Sequence, residues 1–158
     1  MRPSKYPLEA LATLRDSKAD KALGRLAAAI DARVSAERAL DDCKRRRAAH
    51  DDAVALLTSE ERHALARGEL GAADLARGDA WKMRVFAERE ALEAEQGRAV
   101  ARRQAALDAE SAARDAAMAC QSDARLVHED RERWTERVRA LAEAAEDEAH
   151  LEAWRPLQ

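Results

Sequence analysis

The sequence predicts an all-α fold, an antiparallel two-helix coiled-coil hairpin, and three observations carry that prediction. The first is composition: Ala, Glu, Lys, Leu and Arg supply 102 of the 158 residues, 40 of them Ala, while Leu, Ile, Val and Phe total only 25. That balance suits long helices and is too poor in large apolar residues for a globular core of this length. The second is punctuation. The prolines are Pro3, Pro7 and Pro156, so 148 consecutive residues contain none, and Gly68, Gly71 and Gly78 gather three of the five glycines in one place. The third is an apolar spacing close to 3.5 residues, the coiled-coil period. Sandwiches, barrels and α/β folds need strand and turn patterns that are absent. With no run of ~20 apolar residues and no signal-peptide pattern after Met1, a cytoplasmic chain is expected.

Helix one is expected over about residues 7–57. Pro7 suits the first turn of a helix, where its missing N–H is not needed, and Ser4 lies just upstream. A spaced series then runs from Leu8 and Leu11 through Arg15, Ala19, Ala22, Leu26, Ile30, Arg33, Ala36, Leu40, Cys43, Arg47, His50 and Val54 to Leu57. Its fourteen steps cover 49 residues. The connection is expected over 58–79. Thr58 stands three residues ahead of Glu61 in a capping-box pattern, and Gly78-Asp79 supplies a helix stop followed by an N-cap. Helix two then runs over about 80–153, its apolar side marked by Trp81, Val85, Leu92, Val100, Leu107, Met118, Trp134, Val138, Leu141 and Leu151. Residues 1–158 thus read as one hairpin domain.

Folding back buries two thin seams that could not stay exposed alone. At ~1.5 Å per residue the helices would be about 75 and 110 Å long. A monomer of marginal stability is expected, since Ala-rich contacts bury little per residue. With a turn centred between residues 68 and 74, facing positions have numbers adding to about 137–149. Leu8 then faces the 129–141 region, and the stretch beyond it up to Trp154 has no intrachain partner although it holds Leu141, Leu151 and Trp154. This end is either frayed or a docking element for another protein.

Chemistry on the chain is sparse. Cys43 and Cys120 do not face each other in this register and read as two small apolar thiols. Glu60-x-x-His63 matches half of a di-iron motif whose remaining ligands are absent. No zinc cluster, nucleophile triad or phosphate-binding glycine loop is present, so no catalysis, metal or cofactor is expected. Lys44-Arg45-Arg46-Arg47 resembles a nucleic-acid patch, but Asp41, Asp42 and Asp51 lie within helical reach. A net charge of -3 and five aromatic residues also argue against nucleic-acid binding. Arg131, Arg133, Arg137 and Arg139 are interleaved with Glu129, Asp130, Glu132 and Glu136, and residues 140–154 hold five acids and no Lys or Arg.

The opening Lys5-Tyr6-Pro7-Leu8-Glu9-x-Leu11, then Leu14-Arg15, resembles the start of the YscO family, stalk proteins of type III secretion systems related to the flagellar protein FliJ. Lys82 and Val85 after the glycine-containing connection agree in layout. So does Arg125-x-x-His128-Glu129-x-x-x-Arg133-Trp134 ahead of the acidic Glu146-Asp147-Glu148 tail. The resemblance implies a cytoplasmic protein, peripheral to the secretion apparatus at the inner membrane, sitting in the pore of the hexameric secretion ATPase and linking it to the cytosolic ring of the export gate. Such proteins are also implicated in escorting secretion chaperones. By similarity to rotary stalks, the terminal end would meet the ATPase through Lys5, Arg15 and Lys18 from helix one and Arg131, Arg133, Trp134, Arg137 and Arg139 from helix two. The glycine-rich end, with Trp81 and Phe86, is left for the gate. Trp81 and Trp134 also suit plain seam filling. The alternative to a stalk is a generic coiled-coil scaffold or adaptor without ATPase coupling.

Overall fold

A computed structural model describes residues 5–154 of the chain. It contains two α-helices, α1 over Glu9–Ala66 and α2 over Ala72–Ala153, and no strand among the described residues. Joined by residues 67–71, they form the all-α two-helix hairpin that composition and period predict. No helix among the described residues is long and apolar enough to cross a membrane. Pro7 lies in the turn before α1, where the Tyr6 carbonyl accepts the Glu9 N–H at 3.3 Å. Ser4 lies outside the described residues.

The connection is far shorter than the 58–79 expected. Residues 58–66 belong to α1, and residues 72–79 belong to α2. Thr58 does not cap. Its hydroxyl donates to the Val54 carbonyl at 2.7 Å, the back-bonding of a helix-interior threonine. Glu61 pairs instead across the hairpin with Lys82 at 3.3 Å. Gly78 is likewise no stop: it sits inside α2, and a Cβ there would lie 2.8 Å from Glu61 Oε1. Its bare backbone makes room for the Glu61 side chain.

Gly68 is the residue that ends α1. At φ +70° it adopts the left-handed conformation that glycine tolerates best. The Glu69 N–H reaches the Ala64 carbonyl and the Gly68 N–H the Leu65 carbonyl, each at 3.0 Å, which is a Schellman termination. Gly71 caps α2: its N–H donates to Asp74 Oδ2 at 2.9 Å, the acid-to-cap half of a capping box.

The chain divides into two compact units. The bend unit, residues 28–111, centres on Leu40, Cys43 and Ala99. Ion pairs join its two helices: Arg33–Glu110 at 2.5 Å, Arg46–Glu95 at 2.7 Å, Arg47–Glu93 at 2.9 Å and Glu61–Lys82 at 3.3 Å. The terminal unit, residues 1–27 and 112–158, buries Tyr6 with Ala12, Ala19, Ala22, Ala117 and Ala124. Facing residue numbers there add to between 136, for Tyr6 with Asp130, and 144, for Asp16 with His128. In the bend unit they add to between 138, for His50 with Glu88, and 143, for Arg33 with Glu110. The expected register of 137–149 agrees to within a residue.

Of the predicted α1 seam, only the two ends are exposed, Leu8 at 44% and Leu57 at 47%. In α2 the expected apolar side is partly displaced. Val100 and Met118 are exposed, and Ala99, Ala117 and the carboxylate-bearing Glu110 are buried instead. Where alanine is everywhere, a large apolar residue no longer marks the buried face, and the closest backbone approach selects alanine. Cys43 is buried in the bend unit and Cys120 half-buried in the terminal unit, and both are free thiols.

Candidate partner-binding surfaces

The terminal end assembles around Tyr6. Held by the turn before α1, its hydroxyl donates to Asp130 Oδ2 at 2.6 Å, and its ring meets Trp134 edge-on, with centroids 5.6 Å apart and planes at 62°. The hydrogen bond to Asp130 pushes the Tyr6 phenol above its ordinary pKa. Trp134 is therefore half-buried against Tyr6, the seam-filling arrangement that the sequence left open. Around this pair, Arg15 bonds Asp123, Asp16 meets His128 Nε2 at 2.8 Å, and Arg131 reaches Glu9 at 3.3 Å.

These contacts sort the predicted ATPase-facing residues. Arg15, Arg131 and Trp134 hold the hairpin together, and Arg139 pairs with Glu143 one turn on at 2.9 Å. Arg133 is exposed and donates to the Glu129 carbonyl at 3.2 Å. Lys5, Lys18 and Arg137 are exposed and form no ion pair among the described residues. Lys18 also joins Lys21 and Arg25 along a groove of about 330 Å³ floored by Ala22, Ala113 and Ala116, and of these three cations on one edge of α1 sequence reading passed over Lys21 and Arg25.

At the bend, Trp81 and Phe86 part company. Trp81 is half-buried and lines an open groove of about 540 Å³ with Leu57, Ala64, Leu70 and Gly78. Phe86 projects, 60% exposed. Met83, Leu56, Leu65 and Leu75 are exposed in the same part of the chain. Sequence reading missed Leu56 because it falls off the 3.5-residue series, Met83 because it lies off the marked apolar side of helix two, and Leu65 and Leu75 because they fall in the stretch read as a connection.

Carboxylates in the bend unit are held below their usual range by close donors. Asp74 accepts first from the Gly71 N–H and then from Arg77. Glu95 is held down by the Arg46 guanidinium and Glu69 by Arg67. His50 sits in the seam as predicted, both ring nitrogens buried without a hydrogen bond and Nε2 3.5 Å from Glu88. Among the described residues, no group of three or more His, Cys, Asp or Glu side chains is placed to hold a metal ion. What the two units offer is contact surface: Lys5, Lys18, Arg133 and Arg137 exposed in the terminal unit, and Phe86 and Met83 exposed beside the Trp81 groove in the bend unit. No protein-family model matches the chain, and no curated protein or solved structure matches it either.

Proposed function

We propose that this chain is a stalk protein of a type III secretion export apparatus, similar to the YscO family. Its terminal end contacts the hexameric secretion ATPase, its bend contacts the export gate, and secretion chaperones are further partners. One observation carries the reading: a two-helix antiparallel hairpin of unequal helices, 58 and 82 residues, whose terminal unit exposes Lys5, Lys18, Arg133 and Arg137 outside any ion pair among the described residues. A two-helix element in a six-fold pore can touch only some subunits at once. Its bound pose then favours different nucleotide states in different subunits, which is coupling by differential affinity and needs no chemistry on the stalk.

Within this reading Lys5, Lys18, Arg133 and Arg137 make the ATPase contact, because the hairpin does not consume their charges. Arg15, Arg131 and Trp134 position the end, and Trp81 with Phe86 serves the gate. Mixing the purified chain with its matching ATPase should stimulate hydrolysis or hexamer assembly, and truncation after residue 130 should abolish the effect. Failure of the full-length chain to stimulate would return it to the scaffold reading.

A further inference from the structure

α2 keeps its pattern after α1 has run out. Val138 is half-buried, and every residue from Arg139 to Glu152 is exposed, with Leu141 at 71%, Leu151 at 72% and Trp154 at 88%. The segment is nonetheless helical as far as Ala153. Trp134, Val138, Leu141 and Ala145 continue the alternating spacing of four and three that marks a coiled-coil seam, and its next two positions, Glu148 and Glu152, are acidic. A seam with no facing helix is one half of an interface.

Charge says what the other half is. Residues 140–154 carry Glu143, Glu146, Asp147, Glu148 and Glu152 and no Lys or Arg. Only Glu143 has a cation, Arg139, and the other four have no ion-pair partner among the described residues. We infer that this segment of α2 docks a basic amphipathic helix from a partner protein, which supplies the apolar face that α1 no longer provides and Lys or Arg against the acids. A second copy laid along the same segment, parallel or antiparallel, brings five more acids and is repelled. Nucleic acid and anionic lipid surfaces are repelled for the same reason. The inference stands apart from the ATPase reading, which uses the cations before residue 140 rather than the acids after it.

The test uses the full-length chain and two labelled designed peptides with identical Leu heptads, one flanked by Lys and Arg, the other by Glu. By fluorescence anisotropy at low salt, the basic peptide should bind at least about tenfold tighter, and Leu141→Asp should weaken it by about tenfold or more. Added salt should narrow the difference. The triple variant E146K/D147K/E148K should invert the preference. It decides the matter if circular dichroism shows that Leu141→Asp loses helix. Equal binding of both peptides, binding of neither, or no inversion by the triple variant overturns the inference. So does self-association in sedimentation that Leu141→Asp abolishes, which would make the occupant a second copy.

Discussion

The two units solve one problem, holding together helices with almost no large apolar residues, in different ways. The bend unit has a small cluster, Leu40 with Cys43 and Ala99, and laces its helices with ion pairs from Arg33–Glu110 to Glu61–Lys82. The terminal unit buries alanines, Ala12, Ala19, Ala22, Ala117 and Ala124, and closes with Tyr6 against Trp134 and Asp130. Both use cross-helix charged pairs, Arg15–Asp123, Asp16–His128 and Glu9–Arg131 in the terminal unit; they differ in that one adds a few larger side chains and the other smallness and one aromatic contact. A thin seam can thus be kept by filling it or by narrowing it, and each choice fails to a different insult.

Removing bulk should hurt the bend unit most. Leu40→Ala is expected to lower stability by about 3 kcal/mol, toward the low end for a buried leucine because the seam is narrow. Urea unfolding followed by circular dichroism measures this, and a loss below about 1 kcal/mol would show that the cluster is not what holds this unit. Adding bulk should hurt the terminal unit: Ala19→Leu is expected to cost about 2 kcal/mol by forcing the helices apart. If it stabilises instead, close alanine packing is not the device we take it for. A smaller effect tests the turn. Gly68→Ala places a Cβ at φ +70° and should cost about 1 kcal/mol, whereas Gly24→Ala, with open space inside α1, should gain a little under 1 kcal/mol from helix propensity.

The gentlest probe is pH. Asp74, Glu69 and Glu95 have folded pKa values below their unfolded ones, so their contribution is present above the unfolded values of about 4 and is lost as pH falls through the lower folded values. Tyr6 is the reverse case. Its folded pKa is raised, so its contribution is present below the unfolded value of about 10 and lost as pH rises through the higher folded value. Acid should therefore loosen the bend unit first and alkali the terminal unit first. Amide hydrogen exchange resolved by residue checks this, and identical profiles for the two units would erase the distinction between them.

Much of the fold was legible because a period and a register are properties of the chain. The series Leu11 to Val54 and the 137–149 pairing rule needed only residue spacing and one glycine-rich break. The exact break was not legible. Thr58-Ser59-Glu60-Glu61 has the form of a capping box, yet those residues remain helical because Glu61 finds Lys82 across the hairpin and Thr58 finds the Val54 carbonyl. Gly68, Gly71 and Gly78 look alike in sequence and do three different jobs: a left-handed stop, a cap, and a gap for a neighbouring side chain. Of the candidate surface residues, sequence put Arg15, Arg131 and Trp134 together in what is the terminal unit. It could not say that Asp123, Glu9 and Tyr6 would occupy them.

What the sequence determined by itself was helix, hairpin and register. Alanine, glutamate and arginine without proline favour one backbone state, and a 3.5-residue seam must find a second seam. Tertiary structure decided which glycine turns the chain, which alanines are buried, and which charges are spent inside the hairpin rather than left for a partner. Those outcomes depend on what lies across the helix pair, and side chains that are interchangeable along one helix become distinct only when another helix faces them.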